Sequence, residues 1–357
     1  MTLELRNVSK RVAGDDWIYP IDLVLESGRF NMLLGTTLAG KTTLMHLMAG
    51  LEKPTEGEIW FKGADVTGVP VQARNVSMVY QQFINYPNMS VFDNIASPLR
   101  VAGESRDEIK RRVGEMAELL RISAMLDRRP SELSGGQQQR TAMARALVKD
   151  SELILLDEPL ANLDFKLREE LRDELPRIFA NRDCVIVYAT TEPSEALLLG
   201  GFTAALDKGR LVDSGPTGSI YRHPANITSA RVFSEPPMNT ARVTKSGGRV
   251  TWTDGVSWPA GGDLPDGDYT FGIRPHYVLP FRKNENAVPI EGQIVVAELS
   301  GSESMVHFEV FGNDWVSLSH GVHPFETGAT ATLYAEPEHG MYFDADGRLV
   351  GATGLAG

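Results

Sequence analysis

One stretch, Gly35-Thr36-Thr37-Leu38-Ala39-Gly40-Lys41-Thr42, constrains this chain more than any other. It satisfies G-x-x-x-x-G-K-[ST], the phosphate loop of nucleotide-binding proteins. The apolar run Phe30 to Leu34 reads as a buried strand entering the loop. From Thr43 onward Leu44, Leu47, Met48 and Leu51 recur at helical spacing. In a strand–loop–helix order, successive backbone N–H groups and a helix N-terminus face an anion. Lys41 then reaches β- and γ-phosphates, and the Thr42 hydroxyl is offered to Mg²⁺. The competing reading is a Gly-containing turn before a core helix. Thr36, Thr37 and Leu38 are bulkier than the residues common inside such loops, so phosphates would be held less ideally.

A second element supports the first. Leu153 to Leu156 is a short apolar run ending in Asp157-Glu158-Pro159. Two adjacent carboxylates closing a buried strand are costly unless something cationic compensates. Asp157 is placed to hold Mg²⁺ and Glu158 to act as general base on an attacking water. The alternative is an exposed acidic turn. Leu133-Ser134-Gly135-Gly136-Gln137 places two glycines before a helical stretch, which alone reads as a helix cap.

Length and composition bound the rest. A chain of 357 residues has room for two domains. A net charge of −12 argues against a nonspecific nucleic-acid binder. Met1 to Arg6 has neither the basic nor the apolar segment of a signal peptide. No uninterrupted apolar run reaches the ~20 residues that span a bilayer. The single cysteine, Cys184, lies in an apolar run and reads as buried core, which fits a reducing, cytoplasmic setting.

In order, residues 3–8 and 21–25 read as antiparallel strands about the turn Ala13-Gly14-Asp15-Asp16, and Glu58–Phe61 and Val76–Tyr80 as further strands. Ser105 to Leu120 is helical, with Ile109, Val113, Met116 and Leu120 on one face and Lys110, Arg111 and Arg112 mostly on the other. A helix follows to Val148, then the strand into Asp157. The next helix runs from Phe165 toward Phe179 with a break at Pro176, and a strand follows at Cys184–Ala189. This alternation predicts an α/β domain with a mostly parallel sheet. Ser234-Glu235-Pro236-Pro237 reads as a linker. Beyond it short strands (249–252, 269–273, 293–298, 304–310, 315–318, 331–334) suggest a small β-barrel. The tract from 236 to the end carries 15 acidic against 7 basic residues, which opposes a nucleic-acid groove there. His276, His307, His320, His323 and His339 fit no metal-binding spacing.

Taken together, these motifs resemble the nucleotide-binding subunits of ATP-binding-cassette (ABC) transporters. In family order they are the loop at 35–42, Gln81 at a strand end, the signature Leu-Ser-Gly-Gly-Gln at 133–137, Leu-Leu-Asp-Glu-Pro at 155–159 and Leu-Ala-Asn-Leu-Asp at 160–164. Phe165-Lys166-Leu167-Arg168, Pro236-Pro237-Met238-Asn239 and Gly272-Ile273-Arg274-Pro275-His276 resemble the maltose-type sugar and polyol importers, so the likeness spans essentially the whole chain. It implies an ABC nucleotide-binding domain at 1–235, with a helical subdomain at about 88–150, then an OB-like (TOBE) regulatory and dimerisation barrel at 236–357. It implies ATP and Mg²⁺ as cofactors. Gly35 to Thr43 would bind the nucleotide. Ser134, Gly135, Gly136, Gln137 and Asp164 would meet ATP across a dimer. Thr42, Gln81 and Asp157 would serve the metal. The partners implied are a second ATPase subunit, two membrane permeases and a periplasmic or extracellular solute-binding protein, with the chain peripheral on the cytoplasmic face of the inner membrane. Phe83 to Asn88 would line the groove for a permease helix; on bare sequence it reads equally as a hydrophobic turn.

The chain departs from the family at one place above all. Thr191 stands where a histidine normally contacts the γ-phosphate, and no histidine occurs between His46 and His223. A threonine hydroxyl is shorter and carries no charge. The aromatic that stacks on adenine aligns near Val12, with Trp17 and Tyr19 as neighbours in sequence. These departures fall on the site built on this chain's own loop, whereas the signature is intact. The expectation is an asymmetric heterodimer in which this chain's site is weakened and its signature completes the partner's. Glycerol uptake systems are among the family's importers with two different ATPases. The alternatives are a homodimeric importer ATPase, a nucleotide-dependent scaffold, and a soluble cassette ATPase without a membrane partner.

Overall fold

The computed structural model describes residues 1–161, 163–180, 182–253, 255–261 and 264–352. The chain divides into two compact units, Met1–Thr217 and Gly218–Gly357. The division lies ahead of residue 235 because Ala230, on the helix Ile227–Val232, packs with Met238, Met341 and Phe343 of the second unit.

In the first unit β1 (Thr2–Val12) and β2 (Asp15–Glu26) form an antiparallel hairpin. β3 (Phe30–Leu34) leads through residues 35–40 into α1 (Lys41–Ala49). β4 (Glu56–Phe61) and β5 (Ala64–Asp65) complete a sheet of order β2-β1-β4-β5. After β6 (Val76–Val79) come α2 (Val91–Val101), α3 (Arg106–Leu119) and α4 (Gly135–Leu147). Then follow β7 (Leu153–Asp157), α5 (Phe165–Phe179), β8 (Val185–Thr190), α6 (Pro193–Leu199), β9 (Phe202–Asp207) and β10 (Arg210–Pro216). The second sheet has order β10-β9-β3-β8-β7-β6; all neighbours are parallel except β10 with β9.

β3, β7 and β8 are buried along their whole lengths. That is why they read as continuous apolar runs: both faces of a parallel sheet are covered. Asn31 interrupts the first run, and its amide donates to the Glu26 and Ile186 carbonyls at 2.9 Å each. α1 lies in a core shared by both sheets, with Leu44, Met45, Leu47 and Met48 fully buried. It ends at Gly50 in the left-handed region (φ 77°). Leu51, expected on the buried face, lies past that end and is 40% exposed. On α3 the expected face is buried, but Arg112 turns inward enough to pair with Asp150 at 2.9 Å.

Pro176 does not break its helix: α5 continues through it to Phe179. The missing N–H costs one helical bond, and Leu175 and Phe179 on either side are held in the core, Phe179 edge-on against Phe30 at 5.7 Å. Cys184 is buried and free, and burial pushes its thiol pKa up. Among the described residues no helix is long and apolar enough to cross a membrane.

The second unit has two antiparallel sheets around one core, the OB-like barrel expected. One sheet runs in the order 256–259, 249–253, 239–246, 267–273, 341–343, 349–352; the other 278–279, 330–335, 288–299, 303–310, 313–320. Phe271, Phe308, Trp315 and Tyr342 fill the space between. Trp315 stacks on Trp252 at 4.6 Å, and the buried Trp258 Nε1 donates to the Tyr342 hydroxyl at 2.9 Å.

Candidate functional site

The C-terminal ends of β3, β8 and β7 lie side by side, with β8 in the middle. Ligands of open α/β sheets gather at that edge. Gly35 N–H donates to the Thr190 carbonyl at 3.4 Å and Glu158 N–H to the Ala189 carbonyl at 3.0 Å, so both motif-bearing turns are tied to the end of β8. Gly40 takes φ 99°, and a Cβ there would lie 2.7 Å from Ile18 Cδ1, so the loop needs glycine at this point. No side chain caps α1. Its first-turn N–H groups therefore stay open to an anion.

The side chains converge. Lys41 is buried, its Nζ 2.8 Å from the Gly35 carbonyl, 3.1 Å from that of Thr36 and 3.5 Å from Glu158 Oε1. Gln81 Nε2 donates to Glu158 Oε2 at 3.0 Å. Thr42 Oγ1 donates to Asp157 Oδ2 at 2.8 Å. Burial lowers the Lys41 ammonium pKa, against the pull of Glu158. Burial raises that of Asp157, against the hydrogen bond from Thr42. Asp157 is 1% exposed, and its Oδ1 is buried with no hydrogen-bond partner. A hydroxyl, a carboxylate and an amide oxygen from Gln81 form a hard-oxygen set of the kind Mg²⁺ takes. The unpartnered Oδ1 is where such an ion fits.

Lys41, Thr42, Gln81 and Glu158 line a cleft of about 530 Å³, together with Trp17, Lys208 and Gly209, and Asp157 lies buried against Thr42. Thr36, Thr37 and Leu38 face solvent, and Leu38 has φ 67° and is 92% exposed. Of the two aromatic alternatives Trp17 lines the cleft, while Tyr19 is covered by the Arg210 guanidinium at 3.4 Å; Val12, where the family's aromatic aligns, does not line it. A Lys-Gly turn carries no signal of its own, so the sequence alone does not mark Lys208 and Gly209.

Ser134, Gly135, Gly136, Gln137, Asp164 and Thr191 do not line this cleft. Ser134 caps α4 reciprocally: its Oγ accepts from Gln137 N–H at 3.4 Å, and Gln137 Oε1 accepts from Ser134 N–H at 3.0 Å. Ser134 and Gly135 are exposed. Asp164 caps α5 by accepting from Leu167 N–H at 3.0 Å. Asn162, of the 160–164 motif, lies outside the described residues. Thr191 follows β8 directly, half-buried. In residues 83–88, Ile84 and Tyr86 are exposed on a loop held by the buried Asn94. Asn94 Oδ1 accepts from Tyr86 N–H at 2.7 Å, and its Nδ2 donates to the carbonyls of Tyr86, Met89 and Ser90 at 3.1, 3.2 and 3.0 Å.

Residues 18–161 match the model of the family described as ABC transporter. The sn-glycerol-3-phosphate import ATP-binding protein UgpC of Yersinia pestis is 34% identical over 97% of this chain and 98% of its own length. The xylose/arabinose import ATP-binding protein XacK of Haloferax volcanii is 37% identical over 91% of this chain and 88% of its own. Among solved structures, the ATP-binding cassette MJ0796 in a dimeric post-hydrolysis state bound to ADP and Pi is 26% identical, with a TM-score of 0.56 over 60% of this chain and 98% of that one. The chain therefore belongs to the ABC transporter family, as an ATPase of the import ATP-binding type.

Proposed function

We propose that this chain binds and hydrolyses ATP to energise uptake of a sugar or polyol through two membrane permeases, to which it docks peripherally on the cytoplasmic face. The observation that carries this reading is the convergence of Lys41, Thr42, Gln81 and Glu158 in one cleft, with Asp157 buried against Thr42 and its Oδ1 left for a cation. The loop N–H groups and Lys41 hold the phosphates. Thr42, Asp157 and Gln81 would hold Mg²⁺, which when bound would supply positive charge against the phosphates. Trp17 offers a face to the base. Glu158 accepts a proton from water as its oxygen attacks the γ-phosphorus, and the bond to the ADP oxygen breaks. The named relatives import a polyol phosphate and pentoses, which supports the solute class and leaves the particular solute, glycerol included, to the permeases and the solute-binding protein.

The finer reading is an asymmetric pair of ATPases. Thr191 weakens the site on this chain's own loop, and Ser134 to Gln137 complete the partner's. The exposed position of Ser134 and Gly135 at the N-terminus of α4, outside the chain's own cleft, supports this. Loss of a general base costs roughly 10²–10⁴-fold at the site concerned. In the assembled transporter Glu158→Gln is expected to leave most ATP turnover, and the equivalent change in the partner ATPase to abolish it. Turnover stopped by Glu158→Gln alone would refute the asymmetry.

A further inference from the structure

The tip of the β9–β10 hairpin is a two-residue loop: Asp207 pairs with Arg210, and Lys208 and Gly209 have φ 46° and 76°. A turn with positive φ at both positions favours Asn-Gly. Lysine at the first position is strained, yet strain alone marks nothing here. Lys62-Gly63 forms a turn of similar φ (54° and 78°), and its lysine pairs with Glu152 at 2.5 Å. Lys208 differs in two ways. Among the described residues its ammonium has no ion pair or hydrogen bond, and it lines the cleft that holds Lys41 and Glu158.

The tip is also fixed in place. Gly209 N–H donates to the Ala39 carbonyl of the phosphate loop at 3.0 Å, and Tyr19 N–H donates to the Gly209 carbonyl at 2.9 Å. A Cβ on Gly209 would lie 2.4 Å from the Trp17 carbonyl oxygen. The hairpin is thus clamped between the loop and the strand that carries Trp17. Asp16, the acid beside Trp17, is already engaged by Arg11 at 2.8 Å.

We propose that Lys208 is a nucleotide-binding residue, its ammonium meeting the ribose and proximal phosphates on the Trp17 side of the cleft. This rests on reading the cleft as the nucleotide site. An exposed lysine on a flexible four-carbon stem serves a polyanion as a mobile point charge. Thr42 with Asp157, and Gln81 with Glu158, mark the γ-phosphate end; Lys208 is anchored beside Trp17 instead, so ATP and ADP benefit alike.

The test is calorimetric titration of the purified full-length chain with Mg·ATP and Mg·ADP. Lys208→Asn suits the turn better than lysine, so the variant is expected to melt no lower than the wild type. It is expected to bind both nucleotides roughly three- to tenfold more weakly. The difference should shrink toward ~1 M salt, where the Debye length is about 3 Å, and Lys208→Arg should restore most of it. Unchanged affinity for both nucleotides overturns the proposal, and a loss confined to ATP overturns the placement. A wild-type chain that binds neither nucleotide sinks the nucleotide-site reading and the proposal together. If the wild type binds, Lys41→Met does not, and Lys208→Asn matches the wild type, the proposal alone falls.

Discussion

Glu195 is 4% exposed beneath the turn that carries Thr191. Its Oε2 accepts from the Thr190 hydroxyl at 2.6 Å and the Tyr188 hydroxyl at 3.0 Å, and Thr190 Oγ1 accepts in turn from Glu192 N–H at 3.0 Å. Burial raises its pKa above the usual 4.5, with Glu192 nearby adding to the shift and the two hydroxyls opposing it. A raised carboxyl pKa means that the folded chain binds the proton more tightly than the unfolded one. That stability is fully present below 4.5 and is lost as pH rises through the folded value. Glu195→Gln keeps an acceptor for both hydroxyls and cannot ionise. Its melting temperature should match the wild type near about pH 4 and exceed it increasingly toward about pH 8. A constant difference across that range would show that folding does not raise the Glu195 pKa. Glu158 presents the other residue-scale departure. It takes φ 46°, where non-glycine residues cost about 1–2 kcal/mol. Its backbone is held by Ala189 and its carboxylate lies between Lys41 and Gln81. Strain of this kind gathers where a side chain must be aimed.

Among elements, the loop of residues 83–90 leans on Asn94, with Arg145 of α4 bonding the Ile84 carbonyl and Asn85 the Gln138 carbonyl besides. Asn94 of α2 is fully buried, and four hydrogen bonds from its amide hold backbone groups of Tyr86, Met89 and Ser90. Asn94→Ala removes all of them at once. The Tyr86 and Ser90 carbonyls keep the N–H groups of Met89 and Asn94, so the Tyr86 N–H and the Met89 carbonyl are the groups left unmet, at about 1–3 kcal/mol each where water does not reach them. The expected loss is about 2–4 kcal/mol in urea unfolding, with faster proteolysis within 83–90 and weaker assembly with the permeases. Unchanged proteolysis would show that the loop is shaped from elsewhere. Nothing in the sequence announces this role, because an asparagine inside a helical stretch looks the same exposed or buried. What the sequence does announce is periodic or chemically marked. β3, β7 and β8 show as apolar runs, α3 as a stripe, and the cleft's acids and lysine through spacing. The hairpin of β9 and β10 was silent because short half-buried strands lack a distinctive pattern, and with it went Lys208. Pro176 misled for a related reason. Local chemistry favours a break there, and the burial of Leu175 and Phe179 overrides it.

At the scale of the whole molecule, the first unit holds two halves of chemistry that do not meet. The cleft of Lys41, Thr42 and Glu158 is one; the exposed N-terminus of α4, with Ser134 and Gly135, is the other. An intact N-terminus facing solvent is what a chain needs to complete a site on a second subunit. Ser134→Asp separates that role from folding. Aspartate caps helices as well as serine does and complements the helix dipole, so the variant should melt within about 0.5 kcal/mol of the wild type in stability. A carboxylate at that position repels a phosphate brought against it. In the assembled transporter, Ser134→Asp is therefore expected to cut ATP turnover by at least about tenfold, the equivalent of 1.4 kcal/mol in the barrier. The isolated chain should bind Mg·ADP as before, because Ser134 lies outside its own cleft. Weakened nucleotide binding by the isolated chain would place the α4 end in this chain's own site. Unchanged turnover would mean that no partner's phosphate approaches Ser134, and the cross-subunit reading would fail. If Glu158→Gln is mild and Ser134→Asp severe in the same assembly, this chain acts chiefly by completing its partner's site.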